Sequence, residues 1–392
     1  MASLILGLTG SFGSGCGEVS KFLENKFQIF SLTKYIRDEF NRKHPGRKPD
    51  REDLQDTGDE LRKKFGNDIL VKKLLKEIPN TPDPNKGVVI KSIRNHSEAD
   101  ALRKKFGDNF YLINVDADKQ IRFNRVKDEY PGDKKSALRK FEKEDERDSG
   151  ENQPEYGQQV RKCVDVADIV INNNYQRLND LYGEIKKIDF LGLIENPGKR
   201  DPTDIEIGMN HAFQEIVNSR CLKRCVGAVI MRGRSVICSG YNDSPPGTAR
   251  CFDLGKCYRE EIVKCSNKRC NTSIQIILDK CNRCRKEVIK DKQNLLKKNL
   301  DLCRAIHAEE RAILQVSRLG GQSLKKAILY TTTFPCLLCA KMIAEVGLSE
   351  VVYLDPYPYE EAIVILKEAS IILTKFKGIK AFAFRKLFTK NI

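Results

Sequence analysis

The sequence predicts a two-domain α/β protein, and three features of the chain lead to this prediction. Short apolar runs alternate with amphipathic helical patterns through the first half, as in a doubly wound sheet of parallel strands. Residues 195–202 contain two prolines, a glycine and several charges, which is typical of a linker. The second half alternates strand and helix patterns again, in an order that fits a mixed sheet between helical layers. We therefore place the domains at residues 1–197 and 203–392.

The chain begins with a strand, a glycine-rich turn and a helix. Residues 4–9 form an apolar run typical of a buried strand, and residues 18–23 have the pattern of an amphipathic helix. In such a unit, backbone N–H groups and the positive end of the helix face an anion. The turn is therefore predicted to be a phosphate loop, with the positions Gly10, Gly13, Ser14, Gly15, Cys16 and Gly17.

This loop lacks the two side chains that handle phosphate and metal in a working P-loop. The motif G-x-x-x-x-G-K-[ST] needs a lysine for the terminal phosphates and a hydroxyl group for Mg²⁺. Cys16 stands at the lysine position and Gly17 at the hydroxyl position. We expect a degenerate loop without phosphoryl transfer. Two interpretations stay open: a regulatory domain that binds a nucleotide or another anion, and a relic used for packing and oligomerisation.

The rest of the first half continues the alternation of strands and helices. Strand patterns cover residues 88–90, 110–116 and 167–173, and a helical pattern covers residues 119–126. With the segments GLTGSFGSG, VDADKQIRFNRV and ADIVINN, this half resembles the nucleotide-kinase branch of P-loop proteins, particularly dephospho-coenzyme-A-kinase-like sequences. The resemblance covers most of residues 1–195 and implies a P-loop kinase-like domain.

The second half begins with a helix and a hairpin. Thr203 is a suitable N-cap for a helix over residues 204–219. Residues 226–231 and 236–240 have strand patterns on either side of an Arg-Gly-Arg turn. After a long insertion, the order continues as helix, strand, helix, strand, helix and strand. This order fits a three-layer cytidine-deaminase-like fold.

Two short motifs in the second half predict a catalytic zinc site. His307-Ala308-Glu309 supplies one imidazole, and Cys336 and Cys339 of a Pro-Cys-x-x-Cys motif supply two thiolates. Three protein ligands leave the fourth position of tetrahedral zinc open for a water, whose pKa zinc lowers to about 7. Glu309 can then move protons without binding the metal. The combination is the H-x-E…P-C-x-x-C signature of zinc nucleobase deaminases.

One comparison within the chain and one alternative interpretation show how specific this signature is. A second H-x-E match, His96 to Glu98, has no Cys-x-x-Cys at comparable distance, and we interpret it as a surface coincidence. The alternative for the main set is a structural zinc knot in which Glu309 is incidental. Structural knots usually have four protein ligands and this set has three, which favours the catalytic interpretation.

A cysteine-rich insertion occupies residues 249–304. So polar a segment has few other means of ordering itself than binding a metal. We predict a structural zinc ribbon and therefore a second Zn²⁺. The predicted ligands of this ribbon are Cys265, Cys270, Cys281 and Cys284.

The chain as a whole is similar to the two-domain bacterial deoxycytidylate/dCTP deaminases of anti-phage defence. The similarity rests on the degenerate P-loop domain followed by DPTDIEIGMNHAFQEIVNSRCLKRCVGAVI, GYN, HAEERAI, TTTFPCLLCAKMI, VVYLDPYP and FKGIKAF in that order. It implies hydrolysis of dCTP, dCMP or both to dUTP and dUMP, which drains the pool that a replicating phage needs. It also implies a homo-oligomer, a dimer or a hexamer.

The resemblance also implies roles for individual residues. Asn242 matches an asparagine that lies beside the pocket and bonds the sugar of the substrate; the alternative is a turn asparagine. The backbone near Ala308 and Thr333 is expected to hold the edge of the base. Three further cysteines are similar in placement to accessory-metal ligands of deoxycytidylate deaminases: Cys251, Cys257 and Cys303.

Composition and charge indicate where the protein is expected to act and what kind of molecule it can bind. The 392 residues include 14 cysteines and carry a formal charge of +16. The sequence shows no signal peptide and no apolar run of about 18 residues that could span a membrane, so we expect a cytoplasmic protein with reduced thiols. The basic charge suits a nucleotide polyanion as well as nucleic acid.

Two rival functions stay open on these grounds. One is a tRNA or DNA base deaminase, which would need aromatic stacking positions interleaved with basic residues. The other is a non-catalytic, metal-stabilised nucleotide sensor. Glu309 beside an open zinc position disfavours the sensor, and the kinase-like first domain favours a free nucleotide over nucleic acid.

Overall fold

The structure is a computed structural model that describes most of the chain. The described residues are 4–78, 86–130, 132–150, 153–196, 199–257, 262–264, 270, 273–275, 284, 303–354 and 360–389. The chain divides into two compact units. The first comprises Met1–Glu206 together with Phe376–Ile392, and the second comprises Ile207–Lys375.

Strands and helices alternate along the described chain. The strands are β1 Ile5–Thr9, β2 Phe27–Ser31, β3 Gly87–Ile93, β4 Phe110–Asp116, β5 Ile169–Asn172, β6 Gly227–Arg232, β7 Ser235–Tyr241, β8 Ile262–Lys264, β9 Ser273–Gln275, β10 Ile328–Thr331, β11 Glu350–Tyr353, β12 Ile372–Lys375 and β13 Gly378–Ile379. The helices are α1 Cys16–Leu23, α2 Thr33–Lys43, α3 Arg51–Phe65, α4 Ile69–Glu77, α5 His96–Phe106, α6 Lys119–Val126, α7 Lys134–Ser149, α8 Val160–Val166, α9 Leu178–Ile188, α10 Phe190–Glu195, α11 Asp204–Glu215, α12 Ala308–Leu319, α13 Leu337–Glu345, α14 Glu360–Glu368 and α15 Ala381–Thr389.

A six-stranded sheet with the strand order β13–β5–β4–β1–β3–β2 forms the centre of the first unit. Strands β1 to β5 are parallel, and β13 joins the edge antiparallel to β5. Every residue of β1 and β4 is buried, as expected for strands whose two faces are both covered. The predicted α/β character of this half is therefore confirmed.

The alternation of side chains along β1 distributes the core of the first unit over both faces of its sheet. Leu6 and Leu8 pack with Val19 of α1 in one apolar cluster. Ile5 packs in a second cluster, with Leu61 of α3. Burying each such side chain contributes about 1.5–3 kcal/mol relative to leaving it in water.

The C-terminal segment belongs to the first unit, whereas the sequence placed residues 203–392 together in the second domain. Strand β13 pairs with the open edge of β5, and the Ile379 N–H donates to Glu206 Oε1 at 2.9 Å. Glu206 also forms a two-pronged pair with Arg200, at 2.8 Å for each oxygen. The predicted linker is therefore anchored at its end by a buried carboxylate. Thr203 caps α11 as predicted, because its Oγ1 accepts from the Glu206 N–H at 3.2 Å.

The second unit is built on a mixed five-stranded sheet with the order β12–β11–β10–β6–β7. Strands β6 and β7 form the predicted antiparallel hairpin, and β10 lies antiparallel to β6. Strands β10, β11 and β12 are parallel to one another. The order of helices and strands around this sheet is the one predicted from the sequence. Within the insertion, β8 pairs antiparallel with β9.

The second H-x-E match is not a surface coincidence, contrary to the sequence interpretation. Glu98 is fully buried, and its Oε1 accepts two hydrogen bonds from Arg62, at 2.9 and 3.0 Å. Its Oε2 accepts from the backbone N–H groups of Arg94 and Asn95, which fixes the start of α5. The carboxylate caps the start of α5 and neutralises a buried arginine. A short motif does not indicate this structural role.

Helix α7 carries carboxylates that neutralise arginines of the first unit. Arg122 and Asp145 are both almost fully buried and form a bidentate pair, at 2.5 and 3.1 Å. Arg94 donates to Asp148, whose other oxygen accepts from the Phe12 N–H at 3.3 Å. A buried guanidinium needs such partners because removing an ion from water costs several kcal/mol.

We predict that Asp145→Ala lowers the free energy of unfolding of the first unit by about 3–5 kcal/mol, because Arg122 would remain buried without its counter-charge. The matched control on the same helix is Lys143→Ala, which removes an exposed ion pair with Glu52. That control should cost no more than about 1 kcal/mol. Urea unfolding of the full chain, followed by circular dichroism, measures both. Equal losses in the two variants would contradict the assignment.

Candidate active site

His307 precedes the first turn of α12, and its position depends on how closely that helix lies on β7. A Cβ atom at Gly240 of β7 would lie 2.3 Å from the Ala308 carbonyl oxygen and 2.6 Å from the Ala312 nitrogen. Only glycine permits this approach. The Gln315 side chain also accepts from the Ser239 N–H at 2.8 Å, which links the helix to the strand. His307 thus lies at the N-terminal edge of a helix.

The two cysteines lie at the start of α13, directly after β10 and its following turn. Cys336 is the N-cap residue of this helix, and Cys339 lies in the first turn. The helix begins at Leu337. Phe334 stacks edge-on against Tyr353, with ring centroids 4.7 Å apart, and this contact braces the turn. The i, i+3 spacing then directs both sulfur atoms to the same side.

The three predicted metal ligands converge. The Nδ1 atom of His307 lies 3.3 Å from Cys336 Sγ and 3.4 Å from Cys339 Sγ. All three ligand atoms lie within 4.8 Å of one another. Tetrahedral zinc, with Zn–N near ~2.0 Å and Zn–S near ~2.3 Å, separates its ligand atoms by about 3.5–3.8 Å. The donor types and their spacing therefore fit zinc.

The three ligand side chains shift one another's pKa values. The hydrogen bond with Cys339 and the neighbouring His307 lower the pKa of Cys336 to about 4. The pKa of Cys339 is raised, because a second thiolate beside Cys336 and in a buried site is disfavoured. The pKa of His307 is raised by its hydrogen bond with Cys336. A divalent cation among these atoms would offset the repulsion between the two thiolates, since it stabilises both together.

Glu309 lies beside the ligand cluster and is buried, with 2% of its surface exposed. Its Oε1 accepts a hydrogen bond from Thr331 Oγ1 at 3.1 Å. Its Oε2 lies 3.7 Å from Cys339 Sγ. Burial raises the pKa of this carboxyl group above its ordinary value. A carboxyl group with such a pKa can both accept and return a proton close to the metal ligands.

Asn242, the predicted sugar contact, braces the backbone in this structure. Its Oδ1 accepts from the Val226 N–H at 2.6 Å and from Ser219 Oγ at 2.9 Å. Its Nδ2 donates to the Arg224 carbonyl oxygen at 2.9 Å. One amide hydrogen is left over from these bonds, so contact with a substrate stays a prediction.

Ala308 and Thr333 adjoin the metal-ligand motifs, as the sequence requires. Ala308 is fully buried at the start of α12. Thr333 is partly buried in the turn between β10 and α13. Their predicted contact with the base also stays a prediction.

Two residues of this site were missed at the level of sequence. One is Thr331, the hydroxyl donor to Glu309. The other is Arg311, whose guanidinium donates to the carbonyl oxygens of Tyr241 and Asp243 at 2.8 and 2.7 Å. Arg311 lies one helical turn after His307, and this spacing could have indicated from the sequence that it belongs to the site. No pattern marked Thr331, because its partner lies on another element.

The other cysteines that the sequence suggested as metal ligands form no second metal site among the described residues. Cys265 and Cys281 of the predicted ribbon lie outside the described residues, so the ribbon and its zinc stay a prediction. In the part of the chain that the structure describes, His307, Cys336 and Cys339 are the only group of three metal-ligating side chains. The suggested accessory ligands Cys251, Cys257 and Cys303 are not part of that group, and their role stays a prediction.

The glycine-rich loop of the first unit connects β1 to α1, as predicted. Three of its glycines have positive φ angles: 148° at Gly10, 78° at Gly13 and 104° at Gly15. The Cys16 thiol, at the position of the missing lysine, donates to the Thr9 carbonyl oxygen at 3.3 Å. Burial raises the pKa of this thiol, so it supplies no charge to the loop. The Ser14 carbonyl oxygen accepts from Asn173 Nδ2 at 2.6 Å. Gly17 lies in the first turn of α1.

We predict that Cys339→Ala lowers the zinc content of the purified chain by about one ion per chain, because two remaining ligands cannot close a tetrahedral site. The matched control is Cys238→Ala, which removes another buried cysteine of the same apolar cluster, outside the ligand group. Mass spectrometry of the metal, normalised to protein, measures both variants. Unchanged zinc in Cys339→Ala would exclude this ligand set.

Comparison with known proteins agrees with the geometry of the site. Residues 202–355 match the model of the cytidine and deoxycytidylate deaminase zinc-binding region. This match and the His/Cys/Cys ligand group identify Zn²⁺ as the cofactor. No helix among the described residues is long and apolar enough to cross a membrane.

Individual relatives cover different shares of the chain. The deoxycytidylate deaminase of Schizosaccharomyces pombe is 30% identical over 368 residues, which are 93% of this chain and 94% of that protein. The deoxycytidylate deaminase of Enterobacteria phage T4 is 34% identical over 142 residues, 36% of this chain and 71% of that protein. The dCMP deaminase of cyanophage S-TIM5, solved with dCMP and dUMP, is 20% identical and covers 45% of this chain and 99% of that one, with a TM-score of 0.30.

The S. pombe relative aligns with almost the whole chain, so the similarity is not confined to the zinc-binding region. The prediction of a zinc-dependent deaminase enzyme is thereby confirmed. The chain belongs to the deoxycytidylate deaminase family.

Proposed function

We propose that the second unit catalyses the hydrolytic deamination of a free deoxycytidine nucleotide, with dCMP as a substrate. The observation that carries this proposal is the buried carboxylate of Glu309 beside the convergent His307, Cys336 and Cys339. The names of the relatives, deoxycytidylate deaminase in both S. pombe and phage T4, support dCMP as the nucleotide.

In this mechanism, the ligand group holds the zinc ion and Glu309 handles the protons. Zinc, when bound, supplies the acidification of the attacking water. Glu309 accepts a proton from that water as its oxygen bonds to C4 of the cytosine ring. It returns that proton to the ring nitrogen N3. The second proton of the water, now on the hydroxyl group at C4, then passes through Glu309 to the amine, and the C4–N bond breaks with release of ammonia. A carboxyl group whose pKa is raised by burial suits both directions of transfer.

Burial also excludes bulk water from the proton-transfer step. Ala308, Glu309 and Ala312 of α12 are buried against the sheet. In such surroundings few water molecules reach the carboxylate, so it exchanges protons with the reacting groups rather than with bulk water. The burial of Glu309 therefore keeps its carboxyl group away from bulk water, as the reaction needs.

We predict that Glu309→Ala reduces ammonia release from dCMP by at least about 10²-fold, the lower end of what a general acid–base contributes. Zinc content should remain, because Glu309 is not a ligand in the proposed site. Glu345→Ala, an exposed glutamate at the end of α13, is the control and should turn over normally. Turnover at the wild-type rate in Glu309→Ala would refute the assigned role.

The resemblance to anti-phage deaminases supports a finer proposal, that dCTP is also deaminated and that its depletion limits phage replication. Steady-state kinetics with dCMP and dCTP, followed by chromatography of the products, compares the two substrates directly. A cytosine-containing DNA or RNA oligonucleotide in a third arm tests the rival base deaminase. Product from the oligonucleotide alone would overturn the free-nucleotide proposal, and no product in any arm would favour the non-catalytic sensor.

We further propose that the first unit does not transfer phosphoryl groups. The partly buried Cys16 thiol replaces the lysine, and Asp148 from α7 already accepts from the loop N–H of Phe12. The full chain incubated with ATP and Mg²⁺ should therefore release no phosphate above background, while deamination proceeds in parallel. Ordinary ATP turnover would contradict the degenerate-loop proposal without affecting the deaminase site.

A further inference from the structure

The carboxylate of Glu309 has two unequal oxygen atoms. Oε1 accepts from the Thr331 hydroxyl at 3.1 Å, and Oε2 lies 3.7 Å from Cys339 Sγ. One oxygen is therefore tethered to the sheet, while the other faces the metal-ligand group. Proton exchange with the reacting groups needs Oε2. The direction in which Oε2 points depends on the hydrogen bond that holds Oε1.

The tether from Thr331 differs from the contact with Cys339. A thiol can donate to Oε2 only while it carries its proton. Zinc-binding cysteine is a thiolate, which has no hydrogen to donate. The hydroxyl of Thr331 keeps its hydrogen in either case. Of the two groups, only the threonine can hold the carboxylate once the cysteine has become a ligand.

Thr331 is itself rigidly placed. It ends β10, and its backbone pairs with Ala228 of β6 on one side and Tyr353 of β11 on the other. Its side chain is fully buried. A β-branched side chain has few χ1 rotamers, so a hydroxyl on a central strand is a fixed donor. The position of this oxygen is thus set by the sheet rather than by the flexible Glu309 side chain.

We propose that Thr331 is a positioning residue, whose hydroxyl holds the Glu309 carboxylate in the single orientation that directs Oε2 to the reacting groups. This inference rests on the proposed deamination. It adds a residue that is not one of the metal ligands and that acts through its hydrogen bond to Glu309. The role is orientation, so its loss should lower the rate of the chemical step more than the affinity for the nucleotide.

The neighbouring residue provides a matched control. Thr332 is also buried, at 4% exposure, but its Oγ1 accepts from the Gly227 N–H at 3.1 Å. Thr332 lies directly after the end of β10, and its hydroxyl bonds the hairpin instead of Glu309. Replacing either threonine by valine removes one buried hydroxyl and preserves the shape of the side chain. Thr331→Ser keeps the hydroxyl and removes only a methyl group.

The test compares Thr331→Val, Thr331→Ser and Thr332→Val in the full zinc-loaded chain, with dCMP as substrate. We expect Thr331→Val to lower kcat about 10–100-fold, the scale of a misplaced catalytic group, with KM changed by less than about twofold. Thr331→Ser should recover most of kcat. Thr332→Val should keep kcat and lose thermal stability. Unchanged kcat in Thr331→Val, or a loss as large in Thr331→Ser, would overturn the proposal.

A second measurement is independent of turnover. Crystal structures of the wild type and of Thr331→Val should show Glu309 in one rotamer in the first and in several in the second. The same single rotamer in both would overturn the positioning role, whatever the kinetics. Absence of ammonia release by the wild type would instead refute the proposed function, and the two failures are thereby distinguished.

Discussion

The close approach of α12 to β7 at Gly240 is the constraint on which the second unit depends. A side chain at Gly240 would collide with the backbone of α12, so the helix can lie against the strand only because this residue has no Cβ. That approach sets the depth of His307 and Glu309 beside the sheet. The guanidinium of Arg311, one turn further on, then reaches the carbonyl oxygens that follow β7.

The ligand group arises because two helix starts meet at one place. His307 precedes α12 and Cys336 precedes α13, so each ligand lies where a helix leaves free N–H groups and a positive dipole end. Such helix starts favour thiolate over thiol. The sheet supplies the fixed distance between the two starts through β10. Rigid elements, rather than loops, therefore carry the atoms that need the most accurate placement.

The first unit satisfies its interior charges in a different way. Its buried arginines are matched by carboxylates from another helix, as in the pair of Arg122 with Asp145. Beside the glycine-rich loop, Asp148 accepts from a backbone N–H and from Arg94, so an internal anion lies where the loop offers donors. The same glycine-rich loop that suggested a nucleotide fold is thus compatible with a domain whose polar groups are paired internally.

The sequence alone determined the features that depend on short spacing: the alternating α/β pattern, the hairpin at β6 and β7, and the His307, Cys336 and Cys339 set with Glu309 beside it. A helical turn or a strand repeats locally, so a few adjacent residues specify it. Only the tertiary structure decided which distant groups meet. It joined Thr331 to Glu309, committed the Asn242 amide to the backbone, buried Glu98 against Arg62, and gave β13 to the first sheet. Each of these depends on an edge, a face or a partner from another element, and no local repeat encodes such a choice.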